Sequence, residues 1–196
     1  CRRFIEAGSQ AEYGPMDAEK ISPDSPANPS TPYGASKLAA GHLAGKLCKE
    51  LGMECIWPRI FSVYGKYEKE TTMVASGLRK MLAGEPTEFT PAMQRWDYLY
   101  SRDAGRAFYL IGEKGKGGSV YCVGSGQARP LKEYIEEMAA LTGAGKPGIG
   151  AKPYPPGAVM NLCADIGTLT GDTGFIPEYT FEQGIRETIE WIKAGE

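Results

Sequence analysis

Apolar residues recur along this chain with two periods. Ala40, Leu43, Ala44, Leu47, Cys48 and Leu51 have helical spacing and predict a helix over 32–51. Ser30 or Thr31 can cap it, Pro32 suits its first turn, and Gly52 stops it. Residues 2–8 and 53–60 read as strands, with further short strands at 87–90, 95–100 and 120–123. Helices are predicted over 72–82, over 103–111 with Asp103 as its cap, and over 131–141. The last helix carries Phe181, Ile185, Ile189 and Ile192 on one face, behind a capping box of Thr180 and Gln183. Residues 14–32 and 143–156 read as loops. Strands alternating with helices predict an α/β fold with a largely parallel sheet.

Composition narrows the class. Hydrophobic residues make up 42% of the chain, enough for a real core, and the length suits one domain or a domain and a half. The formal net charge of -2 argues against a nucleic-acid partner or a polybasic membrane surface. No apolar run approaches the roughly 20 residues of a membrane span. Cys1, Cys48, Cys55, Cys122 and Cys163 are scattered, with no CxxC pair. They predict free buried thiols in a reducing cytoplasm, with neither a disulfide frame nor a metal site. The chain opens at Cys1 and reads as strand almost at once, as if cut through the middle of a fold.

The segment richest in chemistry is Thr31-Pro32-Tyr33-Gly34-Ala35-Ser36-Lys37. Tyr33 and Lys37 stand four apart at a helix start, so both project from one face. An ammonium beside a phenol favours the phenolate. A phenol so placed can pass a proton to or from a hydroxyl or ketone while hydride moves. Tyr-x-x-x-Lys alone occurs by chance in many helices, as a surface pair. Its weight comes from Ser9, which follows the first strand and precedes Tyr33. Ligands of open α/β sheets bind at the carboxyl ends of strands. A serine hydroxyl there can hydrogen-bond a reacting oxygen, although serine is also a common turn residue.

The order of motifs adds to this. A strand leads to Gly8-Ser9-Gln10-Ala11-Glu12-Tyr13-Gly14, then a proline-rich loop, then Pro32-Tyr33-Gly34-Ala35-Ser36-Lys37. Pro58-Arg59-Ile60-Phe61-Ser62-Val63-Tyr64-Gly65, Trp96-Asp97-Tyr98 and Val120-Tyr121-Cys122-Val123-Gly124-Ser125-Gly126 follow, with a closing segment over 165–191. In this order they resemble the extended short-chain dehydrogenase/reductase family of NAD-dependent epimerases, dehydratases and ketoreductases of nucleotide sugars. The resemblance implies the C-terminal part of a Rossmann-like parallel sheet plus a small α/β substrate-binding domain. Residues 1–65, with pieces near 95–126 returning, would belong to the first, and 66–196 mostly to the second. It also implies Ser9, Tyr33 and Lys37 as the catalytic set, with NAD or NADP as cofactor. Tyr33 and Lys37 would hold the nicotinamide ribose, and Pro58, Ile60 and Phe61 would border the nicotinamide. Gln10, Ser62, Thr71, Thr72 and Arg95 would face a nucleotide-sugar substrate, and two copies would pair through the helix at 33–51.

The departures from the family pattern also carry information. A 4,6-dehydratase of the family has Thr-Asp-Glu where this chain has Ser9-Gln10-Ala11. That acid and base eliminate water from the sugar, and Gln10 and Ala11 cannot replace them. Ser62 and Cys122 each stand where the family has asparagine, and Trp96 stands where it has arginine, with Arg95 one residue earlier. The family's glycine-rich cofactor loop would lie upstream of Ser9 by roughly a hundred residues of βαβ units. Gly143-Ala144-Gly145-Lys146-Pro147-Gly148 matches its pattern, but it follows a helix and contains Pro147, which predicts a helix exit instead. These features predict an epimerase or 4-ketoreductase of a nucleotide-activated sugar. The alternatives are a non-sugar oxidoreductase of the same family, or a non-catalytic binding module. His42, Trp57 and Trp96 read as helix-surface and packing residues, and Glu113, Lys114 and Lys116 as a solvated loop.

Overall fold

The computed structural model describes residues 1–195. The chain opens with β1 (Arg3–Ile5) and β2 (Gly8–Ser9), then a single 3₁₀ turn (Gln10–Glu12). Next come α1 (Pro32–Glu50), β3 (Glu54–Ile60), β4 (Ser62–Tyr64), α2 (Met73–Ala83), β5 (Arg95–Trp96) and β6 (Tyr98–Tyr100). The remainder is α3 (Ser101–Lys114), β7 (Val120–Val123), β8 (Arg129–Pro130), α4 (Leu131–Thr142), β9 (Asn161–Leu162), α5 (Gly167–Thr173) and α6 (Phe181–Ala194).

The main sheet is parallel and centred on β3. β1 and β2 share one side of it, with Phe4 opposite Cys55 and Ser9 opposite Ile60. β7 lies on the other side, with Trp57 opposite Val120 and Ile60 opposite Val123. The expected strand over 2–8 is thus two short strands, separated at Glu6 and Ala7. The expected strand over 95–100 is also divided: β5 pairs with β8 and β9, whereas β6 pairs in parallel with β4. The expected strand over 87–90 reduces to one bridge between Phe89 and Ile149.

Side-chain alternation on β3 and β7 builds a core on each sheet face. On one face Ile56, Tyr121 and Val123 meet Ala104, Ala107 and Ile111 of α3, with Leu169 and Phe175 from α5 and its exit. On the other, Tyr13, Phe61 and Cys122 pack with Ile21, Leu162 and Ala164. A third core joins α2, α4 and α6 through Leu78, Ile135, Met138, Ile185 and Ile189, beneath the rings of Tyr64, Tyr100 and Tyr134. Burying each of the larger aliphatic side chains contributes about 1.5–3 kcal/mol.

The capping box of Thr180 and Gln183 is present at α6. Thr31 is the residue that caps α1, with Pro32 in its first turn. Asp103 behaves differently from the expected cap. It lies inside the first turn of α3, where its buried carboxylate accepts the N–H groups of Glu178 and Tyr179, both at 2.9 Å. It therefore ties α3 to the approach of α6. Glu113, Lys114 and Lys116 are exposed, as expected, but only Lys116 lies in a loop. Glu113 and Lys114 close α3, and Lys116 pairs with Asp172 at 2.6 Å. Among the described residues no helix is long and apolar enough to cross a membrane, and no cluster of ligating side chains could hold a metal ion.

Candidate active site

β2 ends at Ser9 against the carboxyl end of β3, and the 3₁₀ turn carries the chain away from the sheet. Ser9 caps that turn, its Oγ accepting from Ala11 N at 3.2 Å. Among the described residues the hydroxyl proton has no acceptor. The first turn of α1 packs directly onto this segment. Gly34 is required there, because a Cβ on it would collide with the Ala11 carbonyl oxygen. One turn further on, Lys37 Nζ donates to Ala7 O at 3.0 Å. The ammonium is thereby held two residues from Ser9. Tyr33 stands in the first helical turn, 58% exposed, and its Oη has no hydrogen-bond partner among the described residues.

β3 supplies the neighbouring wall. Pro58 and Phe61 are buried, Ile60 is half-buried, and Phe61 packs against Tyr13 with ring centroids 6.4 Å apart. Gln10 opens the 3₁₀ turn directly after Ser9. Ser62 opens β4, and its Oγ accepts the indole N–H of Trp96 at 2.7 Å. Two of the residues that depart from the family pattern therefore touch one another. Thr72 caps α2, accepting from Ala75 N at 3.3 Å and donating to Lys69 O at 3.0 Å, so its hydroxyl is already engaged. Thr71 is exposed, and Arg95 directs its guanidinium onto the Ala128 carbonyl. The pattern at 143–148 is a helix exit: α4 stops at Gly143 in the left-handed conformation (φ 70°), and Gly148 N donates to Thr87 Oγ1.

Sequence reasoning passed over Glu12. It is fully buried. Its carboxylate accepts Ser9 N at 2.8 Å, Trp57 Nε1 at 3.0 and 3.2 Å, and Arg59 Nε at 2.7 Å. Trp57 thus serves as a donor as well as a packing residue. Arg59 lies over the Tyr13 ring at 4.5 Å, and the Tyr13 hydroxyl meets Cys122 Sγ at 3.3 Å. Burial pushes the Cys122 thiol up to about 12. The available signal was the spacing of Glu12 from Ser9, which is that of a capping box.

A parallel sheet with Ser9 at a strand end and Lys37 tied to Ala7 beside it defines a class, and the comparisons with known proteins supply the family. The model of the NAD dependent epimerase/dehydratase family matches residues 1–124, and the chain belongs to that family. It is 29% identical over 200 aligned residues to a dTDP-glucose 4,6-dehydratase of Xanthomonas campestris pv. campestris, covering 96% of this chain and 57% of the relative. A dTDP-glucose 4,6-dehydratase of Streptomyces niveus is 26% identical, covering 97% of this chain and 57% of its own length. The chain therefore spans a little over half the length of these relatives. Among solved structures, MoeE5 in complex with UDP-glucuronic acid and NAD superposes with a TM-score of 0.90 at 28% identity, covering all of this chain and 66% of that one. RMD from Pseudomonas aeruginosa, complexed with NADPH, gives 0.91 at 25% identity, covering 99% and 67%.

Proposed function

We propose that this chain forms the catalytic and substrate-binding part of an NAD(P)-dependent epimerase or 4-ketoreductase of a nucleotide-activated sugar. The observation that carries the reading is the docking of the first turns of α1 on the Ser9 segment, with Lys37 tied to Ala7. Ser9 Oγ would donate to the reacting sugar oxygen. Tyr33 Oη, without a hydrogen-bond partner among the described residues, would exchange a proton with that oxygen, and the Lys37 charge would favour its phenolate.

The chain fits only part of a dinucleotide. Tyr33, Lys37 and the β3 end at Pro58, Ile60 and Phe61 could receive the nicotinamide and its ribose, where a bound dinucleotide would supply hydride acceptance and return. Among the described residues no glycine-rich strand-to-helix turn is present to cradle a pyrophosphate. The sugar nucleotide would lie between the end of the main sheet and the body of α2, α4 and α6, near Gln10, Ser62, Thr71, Thr72 and Arg95. This divides the chain at about residue 65, with α3 and β7 returning to the sheet. Pairing of two copies through α1 is supported by exposed Leu43, Leu47 and Leu51 along one helix face, and light scattering on purified protein checks it.

Dehydration is the second reading, favoured by the names of the relatives. The local chemistry weighs against it: Gln10 and Ala11 offer no acid or base, and the nearest carboxylate, Glu12, is buried in an ion pair. The test assays the complete natural polypeptide against dTDP-, UDP-, GDP- and CDP-sugars, with mass-spectrometric product analysis. Epimerised or 4-reduced sugar is expected. A 4-keto-6-deoxy product from a nucleotide-glucose would replace this reading with dehydration.

A further inference from the structure

We infer that Glu12 is a positioning residue for Ser9, and that Gly8, Glu12, Trp57 and Arg59 form one interlocked unit that sets where the Ser9 hydroxyl points. The catalytic part of this inference rests on the reading of Ser9 above, whereas the positioning part rests on geometry alone. Glu12 Oε1 binds the backbone N–H of Ser9 itself, and Ser9 Oγ caps the turn that Glu12 ends. The Ser9 backbone, at φ -144° and ψ 145°, is thus fixed from both sides of the residue. The carboxylate is in turn held from β3 by two donors with little freedom, the Trp57 indole and the Arg59 guanidinium.

Gly8 completes the unit. A Cβ on residue 8 would stand 2.7 Å from Glu12 Oε1 and collide with Trp57 Nε1, so the network occupies the space that a side chain would fill. A fully buried ion pair contributes little stability compared with an apolar pair of similar volume. What it adds is geometry, because each partner is held in one place by directional bonds. Trp57 and Arg59 are nearly buried and Glu12 completely so, beside the cavity between α1 and β3 that all three line, and every bond of the Glu12 carboxylate is made to Ser9, Trp57 or Arg59, so Glu12 acts through Ser9.

The paired replacement Glu12→Val with Arg59→Met removes both charges together and separates positioning from folding. In the complete polypeptide, hydrogen exchange followed by mass spectrometry should show faster exchange confined to the peptide carrying Ser9 and Tyr13, with protection elsewhere as in the parent. Parental exchange in that peptide, or a uniform rise throughout the molecule, overturns the inference. With active enzyme, kcat should fall on the order of 10²-fold, as for a catalytic group displaced by about 1 Å. KM and dinucleotide affinity should stay within about twofold, because the change falls on the transition state. Glu12→Gln with Arg59→Met restores an acceptor for Ser9 N and should recover most of both losses. Parental kcat in the Val/Met variant also overturns the inference. If the parent turns over no nucleotide sugar, the proposed function falls, while the exchange result still decides the positioning.

Discussion

Two buried carboxylates hold two corners of this molecule, and they do so by opposite means. Glu12 fixes the turn after β2 with one backbone N–H, an indole and a guanidinium. Asp97, between β5 and β6, has no salt-bridge partner among the described residues. It accepts Ser125 N at 2.7 Å, Ser125 Oγ at 2.6 Å, Gly126 N at 3.0 Å and Ala164 N at 2.9 Å. Three of those four donors are main chain, and no substitution at their positions other than proline removes them. Glu12 depends chiefly on side chains, which can be exchanged jointly. A carboxylate answered by backbone is therefore committed to the fold. One answered by side chains can be tuned, and it lies beside the candidate reacting groups.

The sharpest way to break this comparison is Asp97→Ala. It leaves three backbone donors without their acceptor, each costing about 1–3 kcal/mol when buried, while the Ser125 hydroxyl can turn to the Gln127 carbonyl. The sum approaches the whole stability of an ordinary domain, about 5–15 kcal/mol. The variant should be largely unfolded by circular dichroism at room temperature. A melting midpoint within a few degrees of the parent would mean that the 124–126 turn does not depend on Asp97.

The next effect falls on rate and not on stability. Tyr33 stands in the first turn of α1, which packs on the segment that Glu12 ends, but it is exposed and has no hydrogen-bond partner among the described residues. Tyr33→Phe should lower turnover of the complete polypeptide by about 10²–10⁴-fold, the range for loss of a general acid–base group. Its melting curve should superpose on the parent's. Unchanged turnover in steady-state assays removes Tyr33 from the mechanism. A large loss of stability would assign it a structural role instead.

The contrast also explains what could be read from the sequence. The period of apolar residues located α4 and α6, each of which buries one regular stripe, and α1, whose stripe has the same period although Leu43, Leu47 and Leu51 stay exposed; β3 and β7 were legible as short apolar runs. Tyr33 and Lys37 were legible because helical spacing alone places them together. The Asp97 corner was not, since its partners lie 28 to 67 residues away and are backbone atoms that carry no residue signature. β8 and β9 have two residues each, too short to show alternation, and they form only by pairing with β5. Glu12 looked like one more polar residue in a turn. Its burial depends on Arg59, 47 positions later, in a strand that otherwise reads as apolar.

The smallest effect tests how far the Glu12 unit extends. Beyond Arg59 the chain of contacts runs through Tyr13 to Cys122 on β7, where the final link is a hydroxyl–thiol contact of 3.3 Å. Sulfur is a weak partner in either direction, so this link should add little. Cys122→Ala removes it and leaves a small void in a core that is otherwise full. The cost should be about 1 kcal/mol, at the lower end for loss of a single buried heavy atom. For a domain of this size that lowers the melting midpoint by about 2–4 °C, readily measured by calorimetry. Turnover should not change, because Arg59 retains its bond to Glu12 and Glu12 its bond to Ser9. In the parent, a thiol raised to about 12 is protonated at pH 8 as well as buried. Alkylation of folded protein at that pH should therefore spare Cys122 while modifying exposed Cys1. A Cys122→Ala variant that lost both stability and turnover by tenfold or more would extend the positioning unit across the sheet to β7. Rapid labelling of Cys122 in otherwise folded protein would show that the corner opens, and that Ser9 is held less firmly than its hydrogen bonds imply.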